Sequence, residues 1–498
     1  MFLKIFFCIF VVHFGMIFAK YIICLKSKIM KLSTSKCSNV NYLAKVVQID
    51  SFTNHIDPEV TRLKVAHVDG YNIIVGVDEQ PGKFVYFPTS CCINPQLLSF
   101  ANLYRNYEKN ENPDPEKKGL FEDNGRVKAV KLRGQVSEGF LLPLQTMINF
   151  IVSSTNIDFT EDECPVGTEF DEIEHNGKSF WINKKYVVGK VEQQQAASVD
   201  KHLKKRQKGL KKFNRVIDGQ FKFHYSTVIY RKEPTFVKPN DLISITSKWD
   251  GSSSIFSYVL CKHPLTWKEK VAKWLTGNEF NNYEYLYASR SVIKNANINI
   301  GVKPGFYGEG GDIWSEAFKI IKPFLVKGMS IYAEIVGYTP NGKHIQKRGN
   351  VMDYGCVMPK PGEEYTYGKH YKIAVYRITM TNVDGIIHEF SAREVQEWCK
   401  SNGLTPVVEY YYGIAKDLYP ELVEDENWGL NFIESLANDK RFYMEMDSPE
   451  CNNKVPHEGI VIRVEDMKPK AVKLKCFNFL NVESKQLDAG EENIEDLA

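Results

Sequence analysis

Short apolar runs rich in β-branched and aromatic residues recur from residue 43 onward, many alternating with polar positions. Residues 43–49 (LAKVVQI), 61–68 (TRLKVAHV), 71–77 (YNIIVGV) and 83–87 (KFVYF) have the period of two expected of strands. Asp69-Gly70 and Pro81-Gly82 fall between them as turns. Residues 95–107 (PQLLSFANLYRNY) predict a helix, and the polar stretch 109–119 predicts a loop. Residues 126–144 (RVKAVKLRGQVSEGFLLPL) predict a strand, a tight turn and another strand. Many short strands with one helix fit a small β-barrel of the OB type. Farther along, 241–250, 330–338, 372–379, 458–464 and 471–476 read as strands, and helices are expected near 264–276, 311–327, 392–402 and 428–438. The fold class expected is therefore α+β, a β-rich N-terminal domain followed by a larger domain built on antiparallel sheets.

Composition changes this picture at three places. Residues 5–18 (IFFCIFVVHFGMIF) are apolar, but Lys20 interrupts the run and Ile17-Phe18-Ala19 is an indifferent cleavage site. Residues 1–29 are thus read either as a signal-like or anchor-like extension or as a start-site artefact, with Met30 the true start. No later stretch has the length and apolarity of a membrane span, so no stable membrane partner is expected for the body of the protein. Between the two β-rich regions, 190–200 is poor in apolar residues and 201–215 (KHLKKRQKGLKKFNR) holds eight Lys or Arg and no acid. That stretch predicts an exposed linker or a phosphate-contacting segment. The end, 486–498, reads as an acidic tail. The boundaries expected are therefore 38–189 for the first domain, 190–215 for the linker and 216–485 for the second domain.

With 498 residues, 43% hydrophobic and 25% charged, the chain has material for two or three folded domains. Lys plus Arg is 64 against 61 Asp plus Glu, a net charge of +3, which excludes a histone-like polycation. Eleven cysteines with no CxxC pair make neither a disulfide scaffold nor a zinc module. Most are expected as reduced core residues of an intracellular protein. No period of 20 to 50 residues marks a solenoid or propeller.

Four segments of the second region occur in a fixed order. They are Ser247-Lys248-Trp249-Asp250-Gly251-Ser252, then Tyr332-Ala333-Glu334-Ile335-Val336-Gly337, then Glu458-Gly459-Ile460-Val461-Ile462-Arg463, and finally Val472-Lys473-Leu474-Lys475. Any one alone is weak. Together they resemble motifs I, III, IV and V of the covalent nucleotidyltransferases, the DNA ligases, RNA ligases and mRNA capping enzymes. Tyr287-Ala288-Ser289-Arg290 is similar to motif Ia, and Tyr376 falls where motif IIIa places an adenine-stacking aromatic.

The chemistry agrees. A lysine attacks phosphorus only when neutral, and neighbouring cations lower an amine's pKa. Lys473 and Lys475 are two apart and face one side of a strand, placed to act so on Lys248. Glu334 and Glu458 offer hard oxygens to Mg²⁺ or Mn²⁺. Gly251 lets the turn after the nucleophile pack closely.

Ser253 stands where DNA ligases and capping enzymes usually carry arginine, and only 23 residues follow Lys475, too few for a terminal OB domain. The β-rich domain in front instead resembles the RNA ligase 5 family, an N-terminal OB module followed by a nucleotidyltransferase (ATP-grasp-like ligase) domain. Residues 130–140 (VKLRGQVSEGF) and 218–224 (DGQFKFH) are similar to that family's segments. The likeness covers roughly residues 40–482.

The resemblance implies an ATP-dependent RNA ligase with Lys248 as nucleophile, which joins RNA 3′-OH and 5′-phosphate ends through lysyl-AMP. Lys473, Lys475, Glu334 and Glu458 act with Lys248 in catalysis. Lys248, Asp250, Gly251, Arg290, Glu334, Tyr376, Lys473 and Lys475 bind ATP. Lys128, Lys131 and Arg133 are candidates for orienting its phosphates from the first domain. The expected partner is RNA, a nicked duplex included, and the expected state is a monomer in cytoplasm or nucleus. A DNA ligase, a capping guanylyltransferase and a catalytically silent RNA-binding protein remain open alternatives.

Overall fold

Most of the alternating runs are strands, and the chain distributes them between two compact units that meet in sequence at Tyr186 and Val187. The computed structural model describes residues 30–36, 38–116, 119–188, 214–224, 227–296 and 311–491. The extension 1–29, residues 190–213 of the expected linker and residues 492–498 of the expected tail lie outside the described residues.

In the first unit, the strands Phe140–Pro143, Gly82–Phe87, Ala44–Ile49 and Glu169–Phe170 form a four-stranded sheet in that order. Its inward positions, Val46, Val85, Phe87 and Leu142, pack with Met147, Phe150 and Ile151 of the helix Leu144–Thr155. The remaining strands make two three-stranded and two two-stranded sheets. Among the described residues the sheets do not close into a barrel, so the OB-type barrel expected from the strand pattern is not found. Alternation over strands of two to six residues reports which side faces a core, and says nothing about whether the ends of a sheet meet. The helix expected over 95–107 is shorter, Pro95–Phe100, and a single 3₁₀ turn follows at Tyr107–Lys109. Lys128 pairs with Glu122 at 2.7 Å and Arg133 reaches Asp57 at 3.8 Å; Lys131 lies on the exposed strand Ala129–Leu132.

Among the described residues the second unit contains two large, mainly antiparallel sheets and a two-stranded ribbon, Lys347–Arg348 with Asn350–Val351. Its elements are β1 (Leu242–Ser247), β2 (Ser252–Lys262), α1 (Trp267–Thr276), β3 (Asn281–Ala288), α2 (Ile313–Ile321), β4 (Met329–Gly337), β5 (Tyr371–Thr381), β6 (Ile387–Glu389), α3 (Ala392–Ser401), β7 (Glu409–Ile414), α4 (Trp428–Ala437), β8 (Gly459–Val464), β9 (Lys470–Lys475) and α5 (Phe477–Asp488). One sheet runs β9-β8-β1-β7, with the two-residue strand Val228–Ile229 parallel to β9 at its edge. The other runs β3-β2-β4-β5-β6, with Thr405–Pro406 parallel to β5.

Each sheet buries one face under helices. Ile243, Ile245, Ile460, Ile462, Val472 and Leu474 pack against Phe432 and Leu436 of α4 and Phe479 of α5. Ile331, Ala333, Ile335, Ile373 and Val375 pack against Trp314 and Ala317 of α2 and Val395 and Cys399 of α3. The helix α3 starts at Ser391, whose hydroxyl caps the Glu394 amide while the Glu394 carboxylate returns to Ser391. The helix α5, absent from the sequence-based expectation, reaches into the expected tail as far as Asp488.

Arg215, the last residue of the basic stretch, belongs to this unit. It pairs with Glu284 at 3.1 Å and donates to the Tyr285 carbonyl at 3.0 Å. Among the described residues no helix is long and apolar enough to cross a membrane, and the described cysteines are free thiols.

Candidate active site

The chain passes from the first of these sheets to the second through Lys248-Trp249-Asp250-Gly251, the four residues between β1 and β2. Close contacts fix that connection from both ends. The Lys248 amide donates to the Gly459 carbonyl at 2.9 Å, tying it to the start of β8. The Asp250 amide donates to the Tyr354 hydroxyl at 2.6 Å, and Trp249 stacks on the Tyr354 ring with centroids 4.5 Å apart. The Gln346 amide donates to the Gly251 carbonyl at 3.1 Å. A Cβ at Gly251 would stand 2.7 Å from the Ile335 carbonyl oxygen, so the position has no room for any other residue. Buried Val336, Met352, Ala374 and Val455 complete the support beneath Trp249 and Tyr354.

Sheet register brings Glu458 and Lys475 to Lys248. Gly459 stands opposite Lys475 and Ile460 opposite Ser247, which places the residue before β8 beside the residue after β1. Lys248 Nζ lies 2.7 Å from Glu458 Oε1, and Lys475 Nζ lies 3.2 Å from the same oxygen. Burial alone pushes the Glu458 carboxyl up. The charges of Lys248 and Lys475 and their hydrogen bonds outweigh it and hold the group below the ordinary carboxylate range.

Beyond Lys475 the alternation of charge continues. Glu483 of α5 lies 3.7 Å from Lys475 and 3.8 Å from Arg348, and Arg348 reaches Asp250 at 3.0 Å. Lys248, Glu458, Lys475, Glu483, Arg348 and Asp250 thus form a run of alternating charge that begins and ends in the same four-residue connection. Phe479 lies beneath two of its cations, 4.9 Å from Lys475 Nζ and 5.2 Å from the Arg348 guanidinium carbon.

Lys248 also borders a cleft between the two sheets. Its walls include Ser247, Trp249, Glu334, Tyr376, His224 and Arg377. Glu334 projects from β4 and Tyr376 from β5, and burial together with the Glu334 charge raises the Tyr376 phenol. The His224 ring meets the edge of Tyr376 at 5.3 Å between centroids. Burial pushes the His224 pKa down, and Arg377, Arg290, Lys248 and Lys473 push it further, to about 3. The imidazole is therefore neutral in a strongly cationic setting. On the far side Arg377, Glu389, Arg463 and Glu465 form a second alternating run, with contacts of 2.7, 3.7 and 3.3 Å.

The sequence-predicted residues are placed as follows. Lys248, Glu334 and Tyr376 share the cleft wall, and Glu458 and Lys475 contact Lys248. Lys473 and Arg290 do not line the wall, although their charges act on His224. Asp250 is turned into its ion pair with Arg348, and Gly251 is buried against β4.

Arg348, Glu483, Tyr354, Gln346, His224 and Arg377 were not anticipated. His224 closes a segment that the family resemblance had singled out, and Arg377 follows Tyr376. Arg348 carries no local signal, and Glu483 belongs to a helix that was itself unexpected.

The donor set suits a divalent cation of the Mg²⁺ or Mn²⁺ type. Glu458 Oε1 carries both lysine contacts, while the buried Oε2 makes no hydrogen bond among the described residues. A hard oxygen therefore remains there, with a second carboxylate at Glu334. Among the described residues no group of three or more His, Cys, Asp or Glu is arranged to hold a metal. Mg²⁺ asks for no such cage, since it keeps waters and shares substrate phosphates with one or two carboxylates.

No family model matches the chain, and no curated protein does. Among solved structures the chain is similar to those of Naegleria gruberi RNA ligase. A lysine-to-alanine mutant with ATP and Mn has 14% identity, covers 90% of this chain and 99% of that one, and gives a TM-score of 0.48. A glutamate-to-alanine mutant with AMP and Mn has 14% identity over 88% and 98%, with a TM-score of 0.47. The enzyme with PPi has 14% identity over 90% and 100%, with a TM-score of 0.47. At these values the likeness transfers no activity to this chain.

Proposed function

We propose that the chain is an ATP-dependent RNA ligase that works through a lysyl-AMP intermediate. The observation that carries the proposal is the Lys248–Glu458–Lys475 contact at the edge of the inter-sheet cleft. In the first step the Lys248 Nζ lone pair attacks the α-phosphorus of ATP. A P–N bond forms, the bond from the α-phosphorus to the pyrophosphate oxygen breaks, and the amine proton is lost. The AMP then passes to an RNA 5′-phosphate, and an RNA 3′-OH displaces it as the phosphodiester bond forms.

Each step is an in-line displacement, so positioning and charge stabilisation supply the catalysis. The Lys248 backbone, held on Gly459, and its side chain, held on Glu458, fix the direction of attack. Lys475 shares the Glu458 carboxylate and so draws off negative charge that would otherwise keep the amine protonated. Lys473, Arg290 and Arg377 add positive charge where a triphosphate would lie. Tyr376 and Trp249 offer apolar surface to the base. Glu458 Oε2 and Glu334 would hold the divalent cation, which when bound neutralises phosphate charge.

The test is incubation of the chain with α-labelled ATP or GTP and Mg²⁺ or Mn²⁺, reading label on the denatured protein. Wild type should take label from ATP alone, and Lys248→Ala should take none while unfolding as cooperatively as wild type. Label persisting in Lys248→Ala would remove Lys248 as nucleophile, and label from GTP would turn the reading towards a capping enzyme.

A further inference from the structure

The strands β2 and β3 pair from Ile255–Ala288 to Lys262–Asn281, and α1 spans the connection between them. None of the ten residues of α1 is buried. Trp267 is 72% exposed, Val271 46%, Trp274 82% and Leu275 68%. At 3.6 residues per turn these four positions fall within an arc of about 100°. Lys270 borders the arc on one side and Lys268 on the other, and Lys268 Nζ lies 6.0 Å from the Trp267 ring.

The helix does not depend on this face for its own order. Thr266 and Glu269 form a reciprocal cap at its start, and Gly277 ends it in the left-handed conformation. The apolar stripe is therefore rigid and presented outward. Paired aromatic and basic groups continue along β3, the edge strand of its sheet. Lys327 lies 5.4 Å from the Tyr283 ring and Lys322 lies 4.9 Å from the Tyr285 ring. Nearby acids have partners of their own: Glu269 in the cap, Glu279 with Lys273, Glu284 with Arg215 and Glu316 with Lys319.

We propose that α1 and the adjoining edge of β3 form a stacking platform for single-stranded RNA outside the catalytic cleft. The identification of that RNA as a ligation substrate rests on the ligase reading above. Rings interleaved with lysines match a polymer in which bases alternate with phosphates, because every base has a face to stack and every phosphate a charge to neutralise. A bilayer surface would take the apolar stripe of α1 with its flanking lysines, but it gives no reason for ring–lysine pairs to continue along the strand β3.

The test uses the full chain and a fluorescent 12-nucleotide oligouridylate, which has no secondary structure to complicate stacking. Trp267→Ala/Trp274→Ala should raise its Kd at least tenfold and leave AMP labelling unchanged. Trp267→Phe/Trp274→Phe should restore most of the affinity, which marks ring stacking as the cause. Lys268→Gln/Lys270→Gln should reduce the slope of log K against log salt by about 1.4.

A Kd within twofold of wild type for the double alanine variant overturns the platform. So does tryptophan-dependent binding to phosphatidylserine vesicles with RNA affinity unaltered, which would make α1 a membrane contact. The two readings fail separately. Wild type that takes no AMP but binds RNA through these tryptophans sinks the ligase and keeps the platform; labelling with tryptophan-indifferent RNA binding does the reverse.

Discussion

At the scale of single residues, the alternating run from Lys248 to Asp250 explains how the Lys248 side chain is held, through Glu458 and Lys475 to Glu483 of α5 and back through Arg348. Its members depend on one another, because a buried charge that loses its partner stays buried. Arg348 and Asp250 have side chains only 7% and 4% exposed. Arg348→Met should therefore destabilise the protein by roughly 3–5 kcal/mol and slow AMP transfer to Lys248 at least tenfold. Adding Asp250→Asn should cost less than the sum of the two changes, measured by urea unfolding and single-turnover labelling.

His224 gives a pH signature. Its folded pKa, about 3, lies below the ordinary 6.5, so the unfolded chain takes the proton first. Its contribution to stability is whole above about pH 6.5 and declines as pH falls towards 3. His224→Gln should flatten the fall in the urea midpoint between pH 6.5 and about 4. An unchanged slope would show that the ring is not buried among those cations. Lys248, Glu458 and Lys475, which meet in the structure, stood out in the sequence because each lies in one of the four ordered segments. Arg348 could not, since its contact with Asp250 spans 98 positions and neither residue marks the other.

At the scale of elements, the period of two carried the most information. In β9 Val472 and Leu474 are buried while Lys473 and Lys475 keep some exposure, as two-residue spacing requires. What spacing does not supply is register, which depends on how closely neighbouring backbones approach. Gly459 shows this at β8: its φ is +135°, and a Cβ there would fall 2.1 Å from the Leu474 carbonyl oxygen. Gly459→Ala should push β8 from β9, lower stability by at least about 2 kcal/mol and weaken labelling, because Glu458 and Lys475 move with the two strands. A variant with wild-type melting temperature and labelling rate would refute that account.

Helices were legible where a cap or a clear stripe marked them, as in α1, α2, α3 and α4. The helix Leu144–Thr155 was hidden because residues 140–144 (FLLPL) run a strand directly into it, with Pro143 at its N-cap. The helix α5 was hidden because it follows β9 after a single residue, Cys476, whose side chain gives its start no cap.

At the scale of the whole molecule, the basic stretch offers the broadest test. Arg215 is an anchor on β3 and should be left in place. Replacing Lys201, Lys204, Lys205, Arg206, Lys208, Lys211 and Lys212 with glutamine should flatten the salt dependence of RNA affinity if the segment meets phosphates. An unchanged slope would leave it a connector. The sequence by itself determined the α+β class, most strands, the order of the segments that carry Lys248, Glu334, Glu458 and Lys475, and the net charge of residues 201–215. Those follow from local period and residue type, which a one-dimensional pattern carries in full. Tertiary structure alone decided that the N-terminal strands stay in separate small sheets, that Glu458 is shared by two lysines, and that Arg348 and Glu483 complete the run of charge. These are meetings of residues far apart in the chain, set by backbone register and close packing, and no local period encodes them.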